Sequence, residues 1–455
     1  MSDLDELVGE EGQKHLRSLH GAHVTQLSRA VWGVLQRRGY DALVLHSGMP
    51  ALRSSFDDNY WPLRCTPHYQ HWLPLAEPGC ALIVEPGKRA RLLRTLNASY
   101  WEALPAPESA HFWESFDVEE VRLARERLPR GRVAFVGEDL RDAGTAETNP
   151  KALLAELDQL RVHKTPYEVE CLAVANRRAA AGHEQVRQLF AQADRPELEL
   201  HLAFLGATRQ DDVETPYKNI VALGKHAATL HHVAYDKRGH GAQSLLLDAG
   251  ASFAGYCSDI TRTWVKGGGA AAGAFGELVS AVERLQQELC GEARLGRPYE
   301  ELHDDSHRKV AAALRSVGIS KLPADELVAN GTTRAFFPHG LGHSLGLQCH
   351  DVGCALVKPR VENPWLRNTT TITEGQCFTI EPGIYFIDAL LAPLRARADI
   401  DWKLVDSLAQ MGGIRIEDDL VIGPGVPRNL TRECLPQGGG AAVQAAFSAL
   451  PPSAS

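Results

Sequence analysis

Four acidic residues stand in or at the ends of short apolar runs that have the composition of buried strands. Asp248 closes a run of three leucines, and Asp259 precedes a β-branched run. Glu381 ends Phe-Thr-Ile-Glu, and Glu417 lies inside Ile-Arg-Ile-Glu-Asp. A carboxylate in an apolar strand is costly to bury unless another group pairs with it. We therefore expect the four acids to meet around a cation, with Asp248 and Asp259 brought side by side by a hairpin.

A segment rich in glycine and histidine, residues 336–353, supplies nitrogen donors. It carries His339, His343 and His350 with three glycines among them. Glycine allows close approach of the backbone to a ligand, and imidazole suits metal binding or proton transfer. Three ordinary histidines in a turn are the alternative. Four carboxylates with a histidine suit a divalent cation, and this donor set favours manganese over zinc, cobalt or iron.

In this order and within these motifs, Asp248, Asp259, His343, Glu381 and Glu417 resemble the five ligands of the two-metal "pita-bread" peptidases. That family includes methionine aminopeptidases, aminopeptidase P and prolidases. The resemblance is closest to Xaa-Pro dipeptidases and organophosphorus acid anhydrolases, and it extends from about residue 15 to residue 433. It implies an α/β (α+β) protein, with a creatinase-like α/β domain followed by a pita-bread metallopeptidase domain, and two divalent ions per subunit, with Mn²⁺ favoured.

The resemblance also implies roles for these residues. Asp259 and Glu417 would bridge the two ions, Asp248 would bind one ion, and His343 with Glu381 would bind the other. Glu381 would also transfer the proton between water and the leaving nitrogen. His350 would stabilise the developing oxyanion, with a purely structural position behind the ligands as the alternative.

Further positions resemble the substrate-binding residues of the family. Arg367, in Pro-Trp-Leu-Arg-Asn, resembles the arginine that binds the proline carboxylate, and His231 resembles the substrate histidine. The residue after that histidine is commonly Tyr in the family but is His232 here, which leaves the pocket wall open. Arg415 is a substrate residue or a salt-bridged brace. The remaining positions proposed to bind substrate or to line the pocket are His339, Tyr217 and Tyr299, with plain core packing as the alternative for either tyrosine.

Asp58, in Phe-Asp-Asp-Asn-Tyr-Trp-Pro, resembles a residue that reaches into the pocket of a partner subunit. There it would hold the free amino group of the substrate, which implies a homodimer. A plain surface turn is the alternative, because Asp and Asn favour turns.

The function implied is hydrolysis of dipeptides with a free N-terminus and a C-terminal proline, with organophosphorus triesters as further substrates. One alternative is an aminopeptidase P that acts on longer peptides. The long segment between Glu381 and Glu417 resembles the dipeptidase branch, and we expect it to exclude longer substrates. The other alternative is a non-catalytic peptide-binding relative, although such relatives typically lack metal ligands.

The order of patterns predicts two domains, an α/β domain over residues 1–160 and a catalytic domain over 161–435, before a flexible tail over 436–455. A Thr165-Pro166 helix start with Glu168 three residues after the cap follows the boundary. In the first domain the patterns predict strands at 42–45, 81–84 and 133–136 and helices at 12–38, 117–127 and 151–160. In the second domain they predict helices near 273–294 and 298–317.

Composition narrows the function classes. The net charge is −9, from 48 basic and 57 acidic residues, and no basic stripe is present, which argues against nucleic acid as a partner. No apolar run reaches the length of a membrane span, and no apolar leader is evident. Nine cysteines without paired spacing predict a reducing cytoplasm. The glycine-rich loop at 266–272 matches a loose dinucleotide-binding pattern, which we disfavour because no parallel βαβ unit surrounds it.

Overall fold

The computed structural model describes residues 3–95 and 112–435. The chain divides into two compact units, Met1–Val174 with Phe253–Tyr256 and Ala175–Ser252 with Cys257–Ser455. The predicted flexible tail, residues 436–455, lies outside the described residues.

The first unit is built on a six-stranded mixed sheet with the strand order β4-β3-β2-β1-β5-β6. The chain continues from this unit into the long helix α4. The elements are α1 (Asp3–Arg38, interrupted at Gly9), β1 (Ala42–His46), α2 (Pro67–Gln70), β2 (Ala81–Val84), β3 (Arg91–Thr95), β4 (Asp117–Val121), β5 (Val133–Val136), β6 (Glu147–Thr148), α3 (Lys151–Leu160) and α4 (Pro166–Gln192).

The central strand β1 is buried along its whole length. Leu43 and Leu45 pack in one apolar cluster with residues of α1 and α3, while Ala42 and Val44 belong to a second cluster with Phe135. Successive side chains of a strand point to opposite faces, so these two clusters lie on the two sides of the sheet. Covered faces explain why this strand is a continuous apolar run.

The prediction of a helix over residues 117–127 is wrong. Asp117–Val121 forms the edge strand β4, which pairs in parallel with β3, and Ala124–Arg127 forms a 3₁₀ turn. Val118 is 45% exposed, so the apolar residues of this segment do not face a core as those of an amphipathic helix would. Hydrogen bonding to the open edge of β3 decides the conformation, and a weak local pattern carries no information about that edge.

The long helix α4 begins as the sequence predicts. The backbone N–H of Thr165 donates to Oε2 of Glu168 at 2.8 Å, and the backbone N–H of Glu168 donates to Oγ1 of Thr165 at 3.5 Å. This reciprocal pair is a capping box, and it satisfies two backbone donors at the start of the helix.

The second unit combines three small antiparallel sheets with helices packed against them. The sheets have the orders β11-β8-β7, β12-β15-β16 and β13-β14. The elements are α5 (Glu197–Thr208), β7 (Ile220–Leu223), β8 (Ser244–Asp248), β11 (Thr261–Val265), α6 (Ala270–Glu292), α7 (Tyr299–Ser316), α8 (Ala324–Ala329), α9 (Thr332–Phe336), β12 (Cys377–Ile380), β13 (Gly383–Tyr385), α10 (Asp388–Leu391), α11 (Trp402–Leu408), β14 (Gly413–Arg415), β15 (Asp418–Val421), β16 (Arg428–Asn429) and α12 (Leu430–Cys434). The short strands β9 (Ser252–Phe253) and β10 (Tyr256–Cys257) pair with each other, and Phe253–Tyr256 are assigned to the first unit.

Helices α6 and α7, predicted near 273–294 and 298–317, provide one side of the largest apolar core. They bury residues such as Phe275, Leu278 and Val310 against Phe378 and Ile380 of β12. The glycine-rich loop at 266–272 follows β11, which pairs antiparallel with β8, so no parallel strand pair surrounds it in the described part of the chain.

Two further properties concern the helices and the cysteines of the described residues. None of their helices combines the length and the hydropathy that a membrane span requires. All nine cysteines lie in the described ranges, and all are free thiols.

Candidate metal centre and active-site cavity

Adjacent strand ends of the second unit bring the four acids and one histidine together. In the β8–β11 pair, Thr261 lies opposite Asp248, and Asp259 stands two residues before Thr261. A backbone bridge then joins Thr261 to Glu417, whose N–H donates to the Thr261 carbonyl at 3.0 Å. The expected proximity of Asp248 and Asp259 thus arises from antiparallel pairing. Glu417 lies between β14 and β15, not inside one strand as the sequence pattern suggests.

His343 and Glu381 are held by backbone bonds next to β12. The Thr379 N–H donates to the His343 carbonyl at 2.9 Å, and the Glu381 N–H donates to the Leu341 carbonyl at 2.8 Å. The His343 N–H in turn donates to Oγ1 of Thr379 at 3.2 Å. The segment that carries the histidine therefore runs beside the strand that ends at the acid.

The side chains converge on His343. Its Nε2 lies 3.3 Å from Oδ2 of Asp259, 3.8 Å from Oε1 of Glu381 and 3.9 Å from Oε1 of Glu417. One ligand atom of each of Asp259, His343 and Glu417 lies within 4.8 Å of the others. Oδ1 of Asp248 is buried and has no hydrogen-bond partner among the described residues. Oxygen donors with one imidazole, including a buried donor that no protein group satisfies, fit divalent cations.

Burial and mutual repulsion perturb the carboxyl groups. Burial raises the pKa of Glu381 to about 7, and burial together with the neighbouring acids raises the pKa of Asp248 and of Glu417. Burial opposes ionisation of Asp259 too, but the hydrogen bond and charge of His343 outweigh it and lower the Asp259 pKa. Burial lowers the pKa of His343, yet Asp259 and Glu381 together raise it to about 9. A bound dication would favour the ionised carboxylates and the neutral imidazole, so we expect metal binding to release protons.

Two glycines of the histidine segment are needed for packing, not for approach to a ligand. A Cβ at Gly342 would collide with the Thr379 carbonyl and the Tyr299 hydroxyl, and a Cβ at Gly340 would lie 2.8 Å from the Trp365 carbonyl. The sequence suggested that these glycines allow a ligand to come close. In the structure, the groups that lie close to these glycines are the Thr379 and Trp365 carbonyls and the Tyr299 hydroxyl.

Arg415 and Tyr385 form a polar network behind the acids. The Arg415 guanidinium contacts Asp248, and it donates to the Tyr385 hydroxyl at 2.8 Å and to Oγ1 of Thr261 at 3.2 Å. Nε2 of His339 lies 2.8 Å from the same tyrosine hydroxyl. Arg415 lines the cavity, but its three contacts match the bracing role that the sequence left open.

A cavity of about 700 Å³ opens above the acids. His231, His350 and Arg367 are exposed in its wall, and the His350 ring lies 4.3 Å from the ring of His343. Arg367 makes no hydrogen bond or ion pair with any residue in the described ranges. The sequence-predicted residues that line this cavity are the five proposed metal ligands and Tyr217, His231, His339, His350, Arg367 and Arg415. Tyr299 and Asp58 do not line it.

Three other sequence expectations have these outcomes. Tyr299 is fully buried outside the cavity, where its hydroxyl donates to the Thr379 carbonyl at 2.8 Å. Asp58 lies in an exposed loop of the first unit. His232, which replaces the common tyrosine, does not line the cavity, and its Nε2 lies 2.9 Å from Oε2 of Glu197.

Sequence reasoning missed two groups that contact the candidate ligands or their neighbours. Cys349 donates from Sγ to Oδ2 of Asp259 at 2.9 Å. Tyr385 joins His339 to Arg415, as described above. The position of Cys349 between His343 and His350 in the sequence could have indicated that it lies at the site. No sequence feature indicates this for Tyr385, because only the β13–β14 pairing places it near Arg415.

Two family models match the chain. "Metallopeptidase family M24" matches residues 170–424, and "Xaa-Pro dipeptidase, N-terminal domain" matches residues 18–159. Together they cover most of both units.

Curated relatives match over nearly their whole length. A Marinobacter nauticus protein named Xaa-Pro dipeptidase is 40% identical over 425 residues, which span 91% of this chain and 98% of the relative. A Pseudoalteromonas atlantica protein of the same name is 38% identical over 441 residues, which span 92% and 99%.

Solved structures share the fold. Aminopeptidase P from Escherichia coli with the inhibitor Pro-Leu has a TM-score of 0.70 at 20% identity, over 94% of this chain and 98% of that one. A zinc-substituted form of the same enzyme in complex with product has a TM-score of 0.69 at 21% identity. This likeness concerns the fold, an α/β first domain followed by a pita-bread domain, as the sequence predicted.

Proposed function

The chain belongs to metallopeptidase family M24, and we propose that it is a dipeptidase that hydrolyses Xaa-Pro dipeptides with a free N-terminus. Relatives of that name align over almost their full length, including the N-terminal domain. The observation that carries the proposal is the cavity itself. In it the Arg367 guanidinium, which has no hydrogen-bond or ion-pair partner among the described residues, faces the same space as the five convergent ligand candidates.

The five residues Asp248, Asp259, His343, Glu381 and Glu417 would hold two divalent cations. Asp259, His343 and Glu417 would provide the central donors of this set, because their ligand atoms lie within 4.8 Å of one another. The predominance of carboxylate oxygen with one imidazole favours Mn²⁺. Two such ions would polarise the scissile carbonyl and would lower the pKa of a water molecule enough for it to ionise near neutral pH.

Glu381 and His350 would act on the reacting atoms. Glu381 lines the cavity, and its Oε1 lies 3.8 Å from Nε2 of His343, a position from which it would take a proton from water and give it to the leaving nitrogen. His350 lines the cavity, with its ring 4.3 Å from the ring of His343. A neutral imidazole at the cavity wall can donate a hydrogen bond to the developing oxyanion.

Arg367 and the histidines of the cavity wall would bind the dipeptide. A guanidinium is the usual bidentate partner of a carboxylate, and the C-terminal carboxylate of a dipeptide lies one residue from the scissile bond. His231 and His339 would contact the substrate backbone from the cavity wall. His232 would not, because it faces Glu197.

The alternative of an aminopeptidase P acting on longer peptides is less well supported. The segment after Glu381 folds into α10 and α11, and Ile387 and Leu390 from it line the cavity. Apolar residues there would restrict space beyond the proline. A non-catalytic relative is disfavoured because all five ligand positions are filled. Hydrolysis of organophosphorus triesters stays a prediction.

The assembly and the compartment are part of the same proposal. We infer a homodimer in which Asp58 holds the substrate amino group in the pocket of its partner. The nine free thiols agree with a reducing compartment such as the cytoplasm.

The test compares Ala-Pro, Ala-Pro-amide and Ala-Pro-Ala as substrates of the same preparation. We expect chelator-stripped protein to be inactive but folded by circular dichroism, and Mn²⁺ to restore hydrolysis of Ala-Pro well above that of the other two. Full activity in metal-free protein would overturn the metal mechanism. Equal rates on Ala-Pro and Ala-Pro-Ala would favour the aminopeptidase P alternative.

A further inference from the structure

A second group of potential metal ligands lies outside the proposed catalytic centre. It comprises Glu197 at the start of α5, His226 in the 3₁₀ helix Gly224–Ala228, and His232, Asp236 and His240 in the loop that follows. We call this group the histidine cluster. None of its members lines the active-site cavity, and the proposed mechanism uses none of them.

Glu197 is fully buried, and both of its carboxylate oxygens are engaged. Oε1 accepts from the Leu223 N–H at 2.9 Å and faces Nδ1 of His226 at 2.7 Å. Oε2 accepts from the Asp236 N–H at 2.8 Å and faces Nε2 of His232 at 2.9 Å. A carboxylate with four partners is a poor metal ligand, but it is a good orienting group.

The contact with Glu197 decides which nitrogen of His226 is available. When Nδ1 donates to the carboxylate, Nε2 carries the lone pair and is the nitrogen that a metal ion can bind. Metal-binding histidines generally donate their other ring nitrogen to a carboxylate or carbonyl in this way, and that contact fixes the ring and raises its basicity. Glu197 therefore prepares His226 as a ligand.

The other two ligands come from the same loop. One ligand atom of each of His226, Asp236 and His240 lies within 4.8 Å of the others. Nε2 of His240 lies 3.2 Å from Oδ2 of Asp236. Two ligands bound tetrahedrally to zinc at about 2.0–2.1 Å lie about 3.3 Å apart, so this pair already has the required separation. All three side chains are between 36% and 46% exposed, so an ion can reach them from solvent.

We propose that His226, Asp236 and His240 bind a divalent transition-metal ion, best matched by Zn²⁺, with Glu197 as the group that orients His226. Two imidazoles and one carboxylate suit zinc, with water as the fourth ligand. The carboxylate-rich catalytic centre favours a harder ion, so the two sites differ in selectivity.

The bound ion would restrain the loop that contributes His231 to the active-site cavity. His226 stands before the loop and His240 stands near its end, so one ion would close the chain between them. His231, which faces the cavity, lies within the closed segment. Closure by a metal ion lowers the conformational freedom of such a loop, so the ion would hold His231 in place.

The test counts zinc per chain. Intact chain and the His240→Gln variant are saturated with Zn²⁺, freed of excess by gel filtration and measured by elemental analysis. We expect the variant to retain about one ion fewer per chain, because it lacks one of three ligands. The matched control is His68→Gln, which removes an imidazole from another His–Asp pair at 3.0 Å, with Asp158 of the first unit. The control should retain the zinc of the unmodified chain.

A second readout follows the loop without reference to activity. Lys237 and Arg238 are exposed trypsin sites inside the closed segment. Zn²⁺ should slow cleavage there at least tenfold in the unmodified chain and in His68→Gln but not in His240→Gln. The same zinc content and the same cleavage rate in His240→Gln and the unmodified chain would overturn the proposal and leave only a network of ion pairs. Neither measurement depends on peptidase activity, so the outcome is separate from that of the proposed function.

Discussion

The phenolic hydroxyl of Tyr217 donates a hydrogen bond of 2.6 Å to Oδ1 of Asp259. The other oxygen of Asp259 accepts from Sγ of Cys349 and lies 3.3 Å from Nε2 of His343. Three neighbours thus fix the orientation of a carboxylate that we propose as a metal ligand. Groups that orient metal ligands typically change metal affinity or activity 10–100-fold when removed.

We therefore predict that Tyr217→Phe weakens metal retention about tenfold, because the ring still fills its place but Asp259 loses a hydrogen bond. The measurement is the Mn²⁺ concentration that restores half of the activity of chelator-stripped protein. Tyr299→Phe is the matched control, because its hydroxyl lies outside the cavity and, among the described residues, donates to the Thr379 carbonyl alone. That variant should lose about 1 kcal/mol of stability and need no more metal. Equal metal requirements in both variants would contradict the role given to Tyr217.

Arg367→Ala should impair hydrolysis of Ala-Pro far more than hydrolysis of Ala-Pro-amide. A charge-assisted contact to the substrate carboxylate contributes about 2–3 kcal/mol, which corresponds to a loss in kcat/KM of about 30- to 150-fold. Arg367→Lys should recover only part of it, since an ammonium lacks the bidentate geometry. Arg360→Ala is the control, because Arg360 pairs with Glu300 and Asp304 on the surface. The same loss on both substrates would mean that Arg367 does not bind the carboxylate.

The free energy of unfolding of metal-free protein should fall as the pH rises, because ionisable groups of this centre lose protons. The Glu381 pKa is about 7 in the fold against an ordinary 4.5, so the folded chain holds a proton that the unfolded chain releases between these values. The His343 pKa of about 9 against 6.5 acts with the same sign, so its contribution is lost as the pH rises towards 9. Bound Mn²⁺ should reverse the effect, because it favours the deprotonated ligands.

The measurement for that prediction is urea unfolding of chelator-treated wild type and Glu381→Gln at pH 5 and pH 8. The glutamine cannot ionise, so the difference between the two proteins reports the ionisation of Glu381 together with its coupling to His343. We expect wild type to lose on the order of 2 kcal/mol relative to the variant across this range. A difference that does not change with pH would show that the Glu381 carboxyl does not retain its proton in the fold.

The shared site of the proposed dimer predicts complementation between two inactive chains. Differently tagged Asp58→Ala and Glu381→Ala chains are co-expressed, and the mixed dimer is purified. If Asp58 acts in its partner's pocket, one of the two pockets is intact, and about half of the wild-type activity should return. If Asp58 acts within its own chain, or is only a surface turn, the mixed dimer is no more active than its parents.

Much of the site could be predicted from the sequence because its signals are local. Asp248, Glu381 and the other acids stand out as charges in apolar runs, and such residues need partners wherever the chain places them. The start of α4 was predictable for the same reason, since Thr165 and Glu168 cap each other across one turn. Structural features that depend on a few neighbouring residues can therefore be recognised from the local sequence.

Other features depended on contacts between distant segments. The strand at 117–121 exists because β3 offers an open edge, and the local pattern favoured a helix. His232 occupies the position of a family tyrosine, yet its partner is Glu197, 35 residues earlier in the chain.

The sequence by itself determined the fold family, and it predicted that a set of acids and a histidine surrounds a cation. Only the tertiary structure decided how each candidate ligand is oriented and which residues reach the cavity. Tyr217 and Asp259 are 42 residues apart, and Tyr385 and Arg415 are 30 apart. The physical reason is that burial and opposite charge make a partner necessary, whereas the identity of the partner depends on strand pairing between segments that no local pattern relates.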